Sequence, residues 1–180
     1  CGAERVTLAS RSGKVARDAG SQWQQLQQTS TETCVEPCDT GEVADVHRLM
    51  SVSVGPSPTG LWHAAGVLAD CLLPKQDASS LGRVYAPKAH GAWALQLSSG
   101  SVPLRSCVLF SSVAALFGGA GQVNYSSANT CLDALAPCRR SQGQVGVSVQ
   151  WGAWAETGMA ARGAASERFL AMEAASGFGR

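Results

Sequence analysis

Residues 106–136 read SCVLFSSVAALFGGAGQVNYSSANTCLDALA. The apolar run Cys107-Val108-Leu109-Phe110 predicts a buried strand that ends on Ser111 and Ser112. A loop of small residues follows, Gly118-Gly119-Ala120-Gly121, and then a helical segment. On that helix Tyr125, Ala128, Asn129, Leu132, Leu135 and Ala136 fall on one face. The apolar members predict burial. Tyr125 and Asn129 stand at the N-terminal end, toward the strand ends. A hydroxyl at a strand end, with a phenol and an amide on one helix face, is a proton-transfer constellation.

Outward from this stretch the chain alternates short strands with helical segments. Arg5–Ser10, Thr33–Glu36, Leu61–Gly66 and Val145–Gln150 are the other strand candidates. Residues 15–29 are Gln-rich and predict an exposed helix. Asp39 or Thr40 is placed to cap a helix through Leu49. Residues 79–97 carry Leu81, Val84, Tyr85, Ala92, Trp93 and Leu95 near one stripe, with Pro87 bending the helix or opening a new turn. The Ala/Gly-rich tail from Gly158 on predicts further helix. Alternation of this kind predicts an α/β fold with a doubly wound parallel sheet and helices on both faces. Ligands of such sheets bind outside the carboxyl ends of the strands. Arg11, Asp39, Gly66, Ser112 and Trp151 each follow a predicted strand.

Composition narrows the function. The 180 residues suit one domain; 45% are hydrophobic and 15% charged, a globular balance. A net charge of +1 supplies no field for nucleic acid. No apolar run approaches the roughly 18 residues of a membrane span. The seven cysteines have no C-x-x-C spacing, and several lie in apolar runs, which predicts reduced thiols in a cytoplasmic setting. The three histidines lack ligand-like spacing, so no metal is expected.

Each candidate residue has two readings. Tyr125 is a proton donor or a core-edge tyrosine. Lys88 lies on the Leu81/Val84/Ala92/Leu95 stripe, where it either snorkels to water or forms a buried ammonium beside the phenol. A cation there would lower a tyrosine pKa from about 10 toward neutrality. Ser112 either polarises a substrate carbonyl or bonds its own backbone. Asp70 is a site carboxylate or a solvated one. Arg11, Lys14 and Arg17 bind a ribose phosphate or form a solvated basic turn. Asp39 accepts from an adenine amine or caps a helix.

Taken together, these residues resemble the ketoreductase domain of modular polyketide synthases, a branch of the short-chain dehydrogenase/reductase superfamily. The resemblance rests on His63-Ala64-Ala65-Gly66-Val67-Leu68, Pro87-Lys88, Val108–Ala114, Gly121–Asn129 and Trp151-Gly152-Ala153-Trp154. Spacing agrees: Lys88 precedes Ser112 by 24 residues, Ser112 precedes Tyr125 by 13, and Asn129 follows Tyr125 by 4. The resemblance implies a Rossmann-like fold and a tetrad of Tyr125, Ser112, Lys88 and Asn129. It implies NADPH held by Arg11, Ser12, Asp39, Ala65, Gly66, Trp151 and Gly152. It places Asp70, Phe117, Gln122 and Trp154 at the substrate side.

The implied reaction reduces a β-ketoacyl thioester, carried on the phosphopantetheine of an acyl carrier protein, to the β-hydroxyacyl thioester in polyketide or fatty acid synthesis. Neighbouring synthase domains are the other implied partners. Leu68-Ala69-Asp70 keeps the second acid of the triplet typical of D-hydroxyl producers, and Phe117 stands where L-hydroxyl producers carry Trp; both imply the D-hydroxyl type. No G-x-G-x-x-G occurs in the chain. The family's first βα unit, with that phosphate-cradling loop, is therefore expected upstream of Arg5, and the 180 residues are expected to be part of a longer multidomain chain. Two other readings stand beside this one: a silent structural domain, and a free-standing short-chain reductase.

Overall fold

A computed structural model describes residues 3–51 and 57–152. Five strands form: β1 Arg5–Ser10, β2 Glu32–Pro37, β3 Gly60–His63, β4 Ser106–Ser112 and β5 Val147–Trp151. Every pairing is parallel. The strands fall into two sheets, β1-β2 and β3-β4-β5. The helices between them are α1 Gly20–Gln27, α2 Val43–Ser51, α3 Ala78–Tyr85, α4 Gly91–Ser99, the short α5 Ala114–Phe117 and α6 Val123–Ser141. This is the predicted α/β alternation, with each parallel neighbour reached through a helical crossover.

β4 alternates between buried and half-buried residues. Its buried members Cys107 and Leu109 meet Ala92 of α4 and Leu132, Leu135 and Ala136 of α6 in one cluster. A second cluster joins Cys38, Val46 of α2, and Ala94 and Leu95 of α4. Leu61 packs on both. Helix α4 thus has two apolar sides, and it links the strand bearing Ser112 to the loop after β2.

Several boundaries differ from the sequence reading. β3 stops at His63, and Ala64–Gly66 leave the ladder. β5 begins at Val147 because the carbonyls of Val145 and Gly146 are taken by Arg139 Nε at 2.8 Å and the Arg140 guanidinium at 2.7 Å. Asp39 does not cap α2, which starts only at Val43. Its Oδ1 instead accepts from Gly41 N at 2.9 Å, and its own N–H donates to Asp45 Oδ2 at 2.9 Å. The tail, with Trp154, lies outside the described residues.

Residues 78–99 wind almost continuously, as α3, a π turn over Ala86–His90, and α4. Asp77 opens the helix with a reciprocal capping box, its Oδ1 accepting from Ser80 N at 2.7 Å. Pro87 sits in the π turn rather than breaking the helix.

Two helical glycines give opposite expectations. A Cβ on Gly91 would lie 2.9 Å from both Thr40 Cβ and Thr40 O, whereas one on Gly82 meets nothing within 4 Å. Gly82→Ala is expected to raise stability by up to about 1 kcal/mol. Gly91→Ala is expected to lower it by about 1–3 kcal/mol through overpacking. Denaturant midpoints of the two variants check the contrast.

Candidate active site

Ser112 is the last residue of β4, and Trp151 pairs with it on β5. The backbone turns there, with Val113 N donating to Trp151 O at 3.0 Å. Ser112 Oγ accepts from Ala114 N at 3.2 Å. It therefore bonds its own backbone, and its side chain also meets the Tyr125 phenol.

Lys88 is buried at 3% exposure. Its ammonium donates to Phe110 O of β4 at 2.9 Å and lies over the Tyr125 ring, 5.5 Å from the centroid. The snorkelling alternative is thereby excluded. Burial pulls its pKa down to about 8, with the Asp133 charge working the other way. Asp133 is held in turn by Ser148 Oγ, which donates to its Oδ1 at 2.6 Å.

Tyr125 opens α6 beside these groups. The sequence reading expects its pKa to fall toward neutrality, and the structure corrects this. Burial dominates and raises it; the Asn129 and Ser112 side chains oppose the shift, and the Asp70 charge adds to it. Burial outweighs the lowering that a cation over the ring brings. Asn129 is fully buried; its Nδ2 donates to Tyr125 O at 2.8 Å, and its Oδ1 is buried without a hydrogen-bond partner. Tyr125 and Asn129 of α6, Ser112 of β4 and Lys88 of the π turn thus converge at the carboxyl end of β4.

The remaining candidates divide by place. Arg11 and Ser12 stand exposed in the turn after β1. That turn is closed by Gly13 N to Ser10 O at 3.1 Å, with Gly13 at φ +61°. Asp39, Ala65 and Gly66 are half-buried beyond β2 and β3. Trp151 packs on Phe110, ring centroids 5.5 Å apart, and Gly152 is exposed beyond it. Gln122 Nε2 donates to Asp70 Oδ2 at 3.4 Å. Phe117 is 85% exposed.

Asn124 is the residue that sequence reasoning passed over. It is fully buried; its Nδ2 donates to Ala69 O at 2.7 Å and its Oδ1 accepts from Tyr125 N at 2.7 Å. With Cys71 N to Gly121 O at 2.9 Å, it ties the Leu68–Cys71 loop to the start of α6. The available signal was a polar residue one step before Tyr125, off the apolar stripe.

The family model described as "KR domain" matches residues 1–156. The chain belongs to the KR-domain family. It is 40% identical over 168 residues to polyketide synthase GfsB of Streptomyces halstedii, covering 93% of this chain and 3% of that protein. It is 38% identical over 159 residues to the pikromycin synthase component PikAII of Streptomyces venezuelae, covering 87% of this chain and 4% of that one. Among solved structures it superposes on an A-type ketoreductase from a modular polyketide synthase. The TM-score is 0.85 and the identity 33%, over 93% of this chain and 36% of that one. This KR domain therefore spans a small part of the synthases it matches, and its relatives are parts of multidomain synthases.

His63 of the KR domain supplies a pH signature. Burial, aided by the Lys88 charge, pulls its pKa from 6.5 down to about 4. Between those values the unfolded chain binds a proton that the folded chain does not, so stability falls as pH drops through that window. The loss should level off below about pH 4, apart from the carboxylates. Unfolding free energies from pH 7 to 4 should show this slope, and His63→Gln should flatten it.

Proposed function

We propose that this domain reduces a β-ketoacyl thioester to the β-hydroxyacyl thioester with NADPH. We take the substrate to be carried on an acyl carrier protein within a cytoplasmic multidomain polyketide or fatty acid synthase. One observation carries the reading: a buried lysine, a tyrosine, a serine and an asparagine meet at one strand end. A buried ammonium that faces a phenol is more than a domain that only packs against neighbours requires. The six described cysteines are free thiols, in keeping with the cytoplasmic placement.

The donor set fits a nicotinamide dinucleotide. Arg11 and Ser12 present a cation and a hydroxyl at the open turn after β1, suited to the adenosine ribose phosphate. One oxygen of Asp39 is occupied by Gly41 N–H, so an adenine amine would be met by the other. Ala65-Gly66 beyond β3 and Gly152 after Trp151 of β5 are small residues suited to close approach by the nicotinamide half. When bound, NADPH supplies the hydride that reduces the ketone carbon.

The chain's own residues handle the oxygen. Ser112 has one lone pair engaged by Ala114 N–H and donates its proton to the ketone oxygen. Tyr125 delivers a proton to that oxygen as it becomes an alkoxide. A phenol whose pKa is raised by burial keeps its proton until a stronger base is formed beside it. Lys88 stabilises the resulting phenolate through its charge. Asn129 holds the first turn of α6, and with it the Tyr125 backbone.

The other wall supports a reading of product handedness. The Asp70 loop is tied to α6 through Asn124 and Gln122, whereas Phe117 points to solvent. We assign the D-hydroxyl product to this arrangement.

NADPH absorbance with acetoacetyl-CoA tests the reading in the full chain that carries this domain. Steady oxidation is expected, with Tyr125→Phe lowering kcat about 10²–10⁴-fold. Ser112→Ala is expected to cost about 10²–10³-fold. No oxidation by the unaltered protein would mark a silent domain. Chiral chromatography of the product should find the D-isomer, with Asp70→Ala eroding the preference.

A further inference from the structure

Lys88 is held at both ends. Its ammonium is bound by Phe110 O, and its own peptide carbonyl is bound by His63, whose Nε2 stands 2.9 Å from Lys88 O. His63 is buried at 3% exposure and neutral at ordinary pH. A carbonyl can only accept, so Nε2 carries the proton and donates.

The carbonyl belongs to the π turn of Ala86–His90. Gly91 N–H closes that turn on Ala86 O, five residues back, and also reaches Lys88 O. The extra residue matters for direction. Each residue turns an α-helix by about 100°, so losing the insertion would swing the side chains of the turn around the axis.

A second donor from outside the helix meets the same turn. Thr40 Oγ1 donates to Pro87 O at 3.0 Å. Gly91 and Gly41 make room for that approach, since a Cβ on either would lie within 3.1 Å of the opposing residue, Thr40 or Ala86. Neither His63 nor Thr40 belongs to the tetrad.

We propose that His63, assisted by Thr40, is a positioning residue for Lys88: by binding the carbonyls of Lys88 and Pro87 the two hold the π turn that aims the ammonium at Phe110 O and the Tyr125 ring. The groups facing Lys88 are Tyr125 and Asp133 from α6, Phe110 O from β4 and His63 from β3. The consequence for catalysis rests on the reductase reading; the effect on Lys88 itself does not.

The test compares His63→Leu, which removes the donor, with His63→Gln, which keeps an N–H, both in the full chain. Acetic anhydride labelling of Lys88, read by mass spectrometry across pH, reports its amine without need of activity. The unaltered protein should label with a midpoint near pH 8. In His63→Leu the midpoint should move up toward 10.5 as the side chain swings into water, and in His63→Gln it should return. With NADPH and acetoacetyl-CoA, His63→Leu should lower kcat on the order of tenfold to a hundredfold with little change in KM. An unchanged Lys88 midpoint in His63→Leu overturns the inference. If that variant does not fold, Thr40→Val against Thr40→Ser carries the same comparison, with an equal midpoint in both overturning it. Absence of reductase activity in the unaltered protein would remove the function proposed above, while the labelling still judges the role of His63.

Discussion

A buried ammonium governs this domain. Among the described residues Lys88 meets no carboxylate at hydrogen-bond distance; what receives it is a main-chain carbonyl, an aromatic face and the more distant charge of Asp133. Desolvation opposes a charge in such a place, and its lowered pKa records that opposition. The surroundings must therefore be held in place for the lysine to remain. β4 supplies Phe110 O, β3 supplies His63, the loop after β2 supplies Thr40, and α6 supplies the ring of Tyr125. Four separate elements meet on one side chain and its turn.

The same requirement links the two sheets. Among the described residues β1-β2 and β3-β4-β5 share no ladder bonds. They are joined through α2 packing on α4, and through the Asp39–Gly41 loop against the π turn. The loop proposed to meet the adenine end of a nucleotide thus touches the turn that carries Lys88. The backbone strain usual at functional sites is absent among the described residues; every positive φ falls on glycine. Polar burial takes its place, in Lys88, His63, Asn124 and Asn129.

A second buried cation makes a useful comparison. Arg139, at 3% exposure, donates to Val145 O, to Gln96 and to Ser99. Its guanidinium is spread over neutral acceptors between α4, α6 and the approach to β5. It has no phenol beside it and lies toward the opposite end of β5 from Trp151. Burial of a charge alone does not mark a reactive site; the groups that face it do.

Much of this was legible in the sequence. The apolar runs predicted the strands, and the 3.6-residue period predicted α6 and the 78–99 helix. Helix face and strand end made Tyr125, Ser112, Asn129 and Lys88 candidates, and the family resemblance joined them as a tetrad. Other features depend on partners remote in sequence. Whether Lys88 snorkelled or turned inward was decided by the π turn and by His63, 25 residues away. The direction of the Tyr125 pKa shift was decided by burial outweighing its polar neighbours, a balance no spacing reveals. Asn124 looked like one more polar helix residue until the Ala69 carbonyl was found against it. Sequence by itself determined which groups exist and their order along each element, because periodicity and turn chemistry are local. Tertiary structure decided which of them are desolvated and what each one faces, because those are set by contacts between elements.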